Sequence, residues 1–305
     1  MIDFSSKPLF LAPLAGFSDI ALRGVVKKFG CDVTTSEMIS SNALVYESSK
    51  TLAMIEKNTA ETPYIVQIAG SDKRIIEQAV LILNDIEGID GIDLNCGCPV
   101  PKVVKQNAGS ALLNDINLLC GILETIKKTS KKRYTSVKIR LGFNQKTAHL
   151  IARDLQNAGC DYICVHGRTR AGGYSAKVDY DAIAKVKQSV NIPVIANGDI
   201  NSKNIEEVFE QTGCDAAMIG RAVIGQPWIF YEIKNKKSID PKLKKDIIIE
   251  HFDQMIKHYK DQGVAIFRKH LHEYSKGING ASSFRNDINS IRNKDEMLQA
   301  IKAFF

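Results

Sequence analysis

The feature that most constrains the fold is a set of eight short apolar runs, each followed by a segment of helical periodicity. The runs are too continuous for half-exposed antiparallel strands, and they are typical of parallel strands buried on both faces. They are PLFLAP (8–13), DVTTSEM (32–38), YIVQIAG (64–70), GIDLNCG (91–97), SVKIRLG (136–142), YICVHGR (162–168), IPVIANGD (192–199) and AAMIGRA (216–222).

The segments between the runs carry apolar residues at spacings of three and four, as in 73–86 and 147–159. The second of these ends at Gly159, a typical helix stop. Eight strand–helix units within about 230 residues predict an α/β protein built on a (β/α)8 TIM barrel. A doubly wound sheet is the alternative, but no G-x-G-x-x-G follows any run, and this disfavours it.

The composition changes after residue 230, which divides the chain into two predicted domains. Residues 231–245 are rich in lysine and predict a linker, and the pattern from 246 onward is helical throughout. We therefore predict a catalytic barrel over 1–235 and a small all-helical domain over 241–305. The helical part holds 12 Lys/Arg against 8 Asp/Glu, so its charge per residue is more positive than that of the barrel.

Composition excludes several classes of protein. The seven cysteines are an odd number spread through strand-like runs, which argues against a disulfide framework. The start of the chain has no apolar core of signal-peptide length, and no stretch is apolar enough to span a membrane. We expect a cytoplasmic protein, a monomer without a metal ion. Its net charge of +7 is compatible with an anionic partner.

In a (β/α)8 barrel the functional groups gather at the C-terminal ends of the strands. The seventh and eighth runs end in Gly198 and Gly220, which let a ligand approach the backbone closely, and Arg221 offers donors suited to phosphate. These ends predict a phosphate-bearing cofactor. Lys138 and Gln67 are costly to bury without a polar partner, and a flavin ring would provide one.

Two thiols, Cys96 and Cys98, come where the fourth run ends. A C-x-C pair without a second cluster disfavours a metal site, and its spacing is not that of the usual C-x-x-C redox motif. Cys96 directly follows the strand and is readily explained as a buried, inert thiol. Cys98 lies between a glycine and a proline on a loop. A cysteine thiol in water is mostly protonated at neutral pH, so Cys98 is a candidate proton donor as well as a nucleophile.

Nine motifs together resemble the tRNA-dihydrouridine synthases, and two of them, SEMISSN and GRAVIGQPWIF, look most like the bacterial B-type branch. The motifs are APLAGFSD (12–19), SEMISSN (36–42), VQIAGSD (66–72), DLNCGCPVPKV (93–103), AGSALL (108–113), VKIRLG (137–142), HGRTRAGGY (166–174), IPVIANGDI (192–200) and MIGRAVIGQPWIF (218–230).

The resemblance implies an FMN enzyme that takes electrons from NADPH, with NADH as the other possible reductant. It implies hydride transfer to C6 of a uridine in the tRNA D-loop and protonation of C5 by Cys98, with Asn95 at the uracil edge. The implied flavin contacts are Pro13, Leu14, Ala15, Gln67, Lys138, His166, Asn197, Gly198, Asp199, Gly220 and Arg221. One departure is Cys96, which stands where many relatives have methionine and could oxidise with Cys98.

The resemblance also implies tRNA as the partner. The candidate contacts are basic residues near the cysteine loop, in the HGRTR motif and in the tail: Lys102, Lys105, Arg168, Arg268, Lys269, Arg285 and Arg292. Two other readings stay open. One is a flavoenzyme like dihydroorotate dehydrogenase, which acts on a free pyrimidine, and the basic tail argues against it. The other is a non-catalytic RNA-binding protein, and the intact cofactor motifs argue against that.

Overall fold

The computed structural model describes residues 1–46 and 48–305. Over these residues nine parallel strands form one sheet, in the order β1-β9-β8-β7-β6-β5-β4-β2, with β3 also paired to β4. A bridge between Phe10 and Val33 joins the two ends and closes the barrel. The strands are Leu9–Leu11 (β1), Thr34–Thr35 (β2), Ile39–Ser40 (β3), Tyr64–Ala69 (β4), Gly91–Cys96 (β5), Tyr134–Arg140 (β6), Tyr162–His166 (β7), Val194–Asn197 (β8) and Ala216–Ile219 (β9). The predicted (β/α)8 barrel is confirmed.

The second apolar run does not form one strand as predicted. β2 covers only two of its residues, and β3 begins after the run has ended. The break lies at Ser36, whose Oγ accepts the backbone N–H of Gln67 at 3.0 Å. The serine hydroxyl thus accepts a hydrogen bond that a backbone carbonyl would accept in a regular parallel pair. The strand is interrupted there.

Helices cover the outside of the barrel and then continue into the C-terminal region. Several begin at an aspartate whose side chain accepts a first-turn N–H, as Asp19, Asp115 and Asp179 do. The helices are Ile20–Lys28 (α1), Ser41–Val45 (α2), Ser49–Ile55 (α3), Lys73–Asp85 (α4), Pro101–Val104 (α5), Ile116–Thr129 (α6), Ala148–Asn157 (α7), Tyr180–Ser189 (α8), Ile205–Thr212 (α9), Ile229–Asn235 (α10), Pro241–Tyr259 (α11), Gln262–Tyr274 (α12), Ala281–Ser290 (α13) and Lys294–Phe304 (α14), with 3-10 turns at Phe4–Ser6, Gly109–Asn114 and Arg221–Val223.

Four aspartates join neighbouring strands at the N-terminal end of the barrel. Each lies just before a strand and accepts, through one carboxylate oxygen, the backbone N–H near the start of the adjacent strand. The pairs are Asp32 with Leu9 (2.8 Å), Asp90 with Tyr64 (2.8 Å), Asp161 with Thr135 (2.7 Å) and Asp215 with Val194 (2.7 Å). The strands are therefore linked two by two, and we call these contacts the aspartate stitches.

The amino-terminal segment closes this same end of the barrel. The Phe4 ring packs against Phe10 and Tyr162, with ring centroids 6.3 and 5.6 Å apart. The backbone N–H of Ile2 donates to the hydroxyl of Tyr134 at 2.6 Å. Because this end is filled, a ligand can enter the barrel only from the C-terminal ends of the strands.

The C-terminal helices α11 to α14 pack on each other and on the barrel helix α1. Their apolar cluster includes Phe252, Phe267 and Met297, and it extends to Ala21 and Val25 of α1. The predicted linker over 231–245 is wrong in part, because α10 and the start of α11 occupy most of it. Among the described residues, no helix has the length and the apolar character needed to cross a bilayer.

Two histidines are fully packed inside the helical region. His251 Nδ1 lies 2.8 Å from the Tyr274 hydroxyl, and the rings of His251 and His270 are 4.5 Å apart. Burial lowers the pKa of His251 to about 3, and burial together with His251 and Lys269 lowers the pKa of His270 well below its usual value. Both imidazoles are therefore neutral in the folded protein.

We expect this pair to make the free energy of unfolding depend on pH. An unfolded histidine binds a proton below pH 6.5, while the folded pair does not, so stability should fall as the pH drops through 6.5. Each histidine should contribute up to about 1.4 kcal/mol per pH unit. Urea unfolding at pH 7 and pH 5 measures this. The variant His270→Leu should lose the part of the pH dependence that one buried histidine contributes. Equal changes in unfolding free energy between the two pH values in both proteins would contradict the expectation.

Candidate functional site

A cavity of about 500 Å³ opens at the C-terminal end of the barrel. Its wall comes from the ends of β1, β6, β7, β8 and β9 and from the loops that follow them. This volume lies in the range of pockets that hold cofactors and small ligands. The lining includes nine of the predicted contacts, namely Pro13, Leu14, Lys138, His166, Asn197, Gly198, Asp199, Gly220 and Arg221.

At the end of β8 the backbone of the cavity wall lies close to the His166 ring. Gly198 has a φ of +122°, and a Cβ there would lie 2.9 Å from the His166 ring. A side chain at position 198 would therefore collide with the imidazole. The glycine predicted for close approach of a ligand is also required by the packing of the protein itself.

An acidic residue organises two arginines at the cavity edge. Asp199 accepts hydrogen bonds from Arg168 and, at 2.6 Å, from Nη2 of Arg221. These bonds, with Arg168 the largest contributor, hold the pKa of the Asp199 carboxyl below its usual value. The Arg168 side chain is only 4% exposed, so the structure places it beside the cavity and not on an outer surface. The described wall therefore carries two cations, Lys138 and Arg221, and one anion, Asp199, with Arg168 bound to Asp199 from beside the cavity.

The cavity wall holds a neutral histidine beside a half-buried lysine. Lys138 Nζ donates to Asn197 Oδ1 at 2.9 Å, and Asn197 in turn donates to the Met218 carbonyl. Burial lowers the pKa of Lys138. Burial, followed by the nearby cations Lys138 and Arg140, lowers the pKa of His166 to about 2. His166 is therefore an uncharged imidazole, which donates one hydrogen bond from one ring nitrogen and accepts one at the other.

Cys98 lies on the adjacent loop, after β5, and is half-buried. The Asn95 Oδ1 atom accepts the backbone N–H groups of Gly97 (3.2 Å) and Cys98 (2.9 Å), and this fixes the loop. Asn95 Nδ2 donates to Gln67 Oε1 at 2.7 Å. Gln67 is fully buried beneath the site, and Ala15 lies on the exposed turn after Leu14.

Cys96 is the last residue of β5, whereas Cys98 lies on the loop that follows the strand. Alternate residues of the strand point inward and outward. Cys96 packs with Leu94 and Ile122 in the layer between the strands and the helices, where it is 0% exposed. Burial raises its pKa well above the usual value. A bond between the two thiols would require Cys96 to leave this core, so the structure gives no support to the oxidation suggested by the sequence.

Sequence reasoning missed two residues that connect the cysteine loop to the cavity. Arg140 is 1% exposed, and its guanidinium donates to the carbonyls of Gly97 (2.7 Å) and Gly173 (2.9 Å). The Tyr174 ring lines the cavity and lies 5.2 Å from that guanidinium. Alternation along the strand places Arg140 on the same side as Lys138, two residues earlier, although Arg140 was not among the predicted contacts. The contact of Tyr174 depends on a loop and has no comparable signal.

The predicted basic residues do not form one cluster. Lys102 and Lys105 are exposed beside the cysteine loop. Lys269 connects the tail to the barrel mouth, because its Nζ lies 5.6 Å from the Phe17 ring. The other three bind groups of the tail itself: Arg268 donates to the Ile291 carbonyl, Arg285 to Ser275 Oγ and Arg292 to the Asn289 carbonyl.

Comparison with known proteins identifies relatives of the whole chain. The chain is 49% identical over 308 residues to a probable tRNA-dihydrouridine synthase of Helicobacter pylori, covering all of this chain and 94% of that protein. It is 36% identical over 309 residues to tRNA-dihydrouridine synthase B of Pseudomonas aeruginosa, covering 97% of this chain and 92% of that one.

Solved structures agree on the fold. The old yellow enzyme homologue of Zymomonas mobilis superposes with a TM-score of 0.57 at 13% identity, covering 77% of this chain and 90% of that one. Morphinone reductase superposes with a TM-score of 0.57 at 11% identity, covering 80% and 91%. At such identities the likeness concerns the barrel alone. The family description "Dihydrouridine synthase (Dus)" matches residues 10–305. The chain belongs to the dihydrouridine synthase family of oxidoreductases.

Proposed function

We propose that this protein is an FMN-dependent tRNA-dihydrouridine synthase that uses NADPH to reduce the C5–C6 double bond of a uridine in the tRNA D-loop. The observation that carries the proposal is the fixed loop of Cys98 beside a cation-lined cavity at the barrel mouth. Residues 1–235 would form the catalytic domain, and residues 241–305 would help to hold the tRNA. This division follows the helix boundaries at Asn235 and Pro241.

The cavity fits FMN by shape and by charge. Two cations of the wall, Lys138 and Arg221, with Arg168 beside it, outnumber the one carboxylate and favour a phosphate group. Arg221 has the fork of donors that phosphate accepts. Lys138, His166 and Asn197 can bond to the polar edge of a flavin ring, and Gly198 and Gly220 leave room for it. When bound, FMN supplies the hydride that goes to C6, after its own reduction by NADPH.

Cys98 provides the proton that completes the reduction. A thiol on a loop fixed through Asn95 can give its proton to C5 of a uracil held above the cavity. Asn95 Oδ1 already accepts two backbone N–H groups, so the amide has only one uncommitted group, an N–H on Nδ2. That N–H can bond to a uracil carbonyl, which orients the base for the transfer.

We expect Arg221→Ala to weaken FMN binding by about tenfold to a hundredfold, the factor for one lost bond to a charged group. Titration of the apoprotein by quenching of FMN fluorescence measures it. Arg170→Ala is the matched control, because the Arg170 guanidinium lies over the Phe143 ring, at 4.8 Å. Equal loss in the two variants would argue against a phosphate site at Arg221.

Joint neutralisation of Arg268, Lys269 and Arg285 should weaken tRNA binding and reduce its salt dependence. Each lost phosphate contact lowers the slope of log affinity against log salt by about 0.7 to 0.9. Filter binding at several salt concentrations measures this. The control neutralises Lys128, Lys131 and Arg133, which are exposed near the closed end of the barrel. A slope that changes equally in both triple variants would contradict the assignment.

The direct test of the function uses tRNA that lacks dihydrouridine. The flavin-loaded protein and NADPH are added, and dihydrouridine is measured by mass spectrometry. Product formation supports the proposal. Reduction of a free pyrimidine without action on tRNA would instead favour a small-molecule enzyme, and a protein that binds tRNA but takes up no flavin would favour a binding role.

A further inference from the structure

A buried carboxylate lies inside the barrel below the proposed site. Asp93, in the middle of β5, is 5% exposed. Its Oδ1 accepts the Ser136 hydroxyl at 2.6 Å, and its Oδ2 accepts Gln67 Nε2 at 2.7 Å. Burial raises the pKa of Asp93 to about 6, against the lowering effect of these two bonds. The group is therefore a carboxylate at neutral pH, and it can only accept hydrogen bonds.

Two amides connect this carboxylate to the cysteine loop. Gln67 donates to Asp93 and accepts from Asn95, and Asn95 accepts from the backbone N–H of Cys98. All three side chains are buried. We call this series, Asp93–Gln67–Asn95, the amide relay.

The two ends of the amide relay fix its direction. At one end Asp93 can only accept, and at the other end the loop N–H groups can only donate. Each amide has one donor end and one acceptor end. Only one orientation of Gln67 and Asn95 satisfies both ends, since turning Gln67 would place its oxygen against the carboxylate. An unpaired buried group is costly, so the other orientation is disfavoured.

We propose that Asp93 is a positioning residue that sets the direction of the amide relay. It thereby holds the Cys98 loop and leaves an N–H as the only free group of Asn95. The inference rests on the proposed function, because it gives Asn95 and Cys98 their purpose. The free N–H of Asn95 also affects which base the site accepts. An N–H that meets position 4 of the base fits the O4 carbonyl of uracil, whereas the amino group at the same position of cytosine would place a donor against a donor.

The test exchanges the carboxylate and the amide at the ends of the relay. In Asp93→Asn the terminal group can donate as well as accept, so only the loop N–H groups still oppose a reversed relay, and the acceptor for Gln67 loses its charge. In Asn95→Asp two carboxylates face the Gln67 amide, which has only one donor end. In the double variant the carboxylate at position 95 accepts both from Gln67 and from the loop, and every group is paired again in the opposite direction.

Two measurements follow the relay without relying on catalysis. The first is the rate of Cys98 alkylation by iodoacetamide, read by peptide mass spectrometry. Cys120, also partly exposed, provides a reference in the same sample. The second is the melting temperature. We expect Asp93→Asn to raise the Cys98 rate about fivefold, because a neutral amide accepts the Gln67 hydrogen bond less strongly than a carboxylate and the loop is then held less firmly. The double variant should return to within about threefold of the wild type and melt above Asn95→Asp.

The control pairs Asn95→Asp with Ser136→Ala, because Ser136 contacts Asp93 from outside the relay. That pair should show no rescue, because removal of the Ser136 hydroxyl supplies no donor for the amide oxygen of Gln67. Two results would overturn the proposal. One is a double variant with faster Cys98 alkylation and a lower melting temperature than either single variant, and the other is a wild-type alkylation rate in Asp93→Asn.

Dihydrouridine formation by the wild type separates this inference from the proposed function. If the wild type is active on tRNA and the exchange effects are additive, the relay proposal fails alone. If the exchange restores the loop but the wild type forms no dihydrouridine, the relay stands and the proposed function fails. The double variant should stay poor in uridine reduction even with its loop restored, because a carboxylate at position 95 has no N–H for the base.

Discussion

Replacement of Cys98 by alanine is expected to lower the rate of dihydrouridine formation by about 10²- to 10⁴-fold, the usual contribution of a general acid. The loop would stay in place, because Asn95 binds the backbone N–H of residue 98 and not its side chain. Affinity for tRNA should therefore change little while kcat falls. Single-turnover reduction of tRNA by the reduced, flavin-loaded enzyme measures the loss directly.

The matched control is Cys96→Ala. The Cys96 thiol is enclosed by core residues on the far side of β5, so its removal should preserve the rate of uridine reduction and cost only stability. Cys98→Ser provides a second comparison, since a hydroxyl of similar size is a weaker acid than a thiol. If Cys96→Ala lost as much activity as Cys98→Ala, Cys98 would not be the proton donor.

Replacement of Glu61 by alanine is expected to cost about 3–5 kcal/mol of unfolding free energy, the price of leaving a buried charge without its partner. Arg23 and Glu61 are 1% and 0% exposed and lie 2.7 Å apart. Glu61 also accepts from Thr34 Oγ1 and from the backbone N–H of Asn58. The pair joins α1 to β2 and to the turn before β4. Urea unfolding followed by circular dichroism measures the loss.

The control for this prediction removes both charges. Arg23→Leu with Glu61→Leu leaves no unpaired ion, and apolar replacements of a buried pair are often close to neutral. We expect the double variant to be more stable than Glu61→Leu alone. A double variant that is less stable than the single one would show that packing around Arg23, including its contact with Tyr64, matters more than the charge.

The barrel could be predicted because its strands are continuous apolar runs, a pattern that does not depend on distant contacts. Residues at the strand ends, such as Lys138 and Arg221, followed from the same pattern. The helix α10 was missed because Lys234 and the two lysines after the helix, Lys236 and Lys237, outweigh in the sequence a buried face that includes Phe230. A lysine-rich segment resembles a linker unless the packing of its apolar residues is known.

Contacts between residues far apart in the chain could not be predicted from the sequence. Arg23 and Glu61 are 38 positions apart, and no periodicity links them. The amide relay shows the same limit: alternation along β5 places Asp93 and Asn95 on one face, but it does not say that Gln67 of another strand lies between them. Such contacts depend on the register of strands, which only the closed barrel defines.

The aspartate stitches control that register from the end of the barrel opposite the chemistry. Asp90 precedes β5 and Cys98 follows it. The register that Asp90 fixes at one end of the strand therefore also determines the position of the Cys98 loop, about 20 Å away. A slip of a single residue would exchange the two faces of the strand and turn Asp93 and Asn95 away from the interior. The loops at the mouth can therefore vary in length and sequence. The four carboxylates at the opposite end still determine which strand residues face the interior, although they do not contact the substrate.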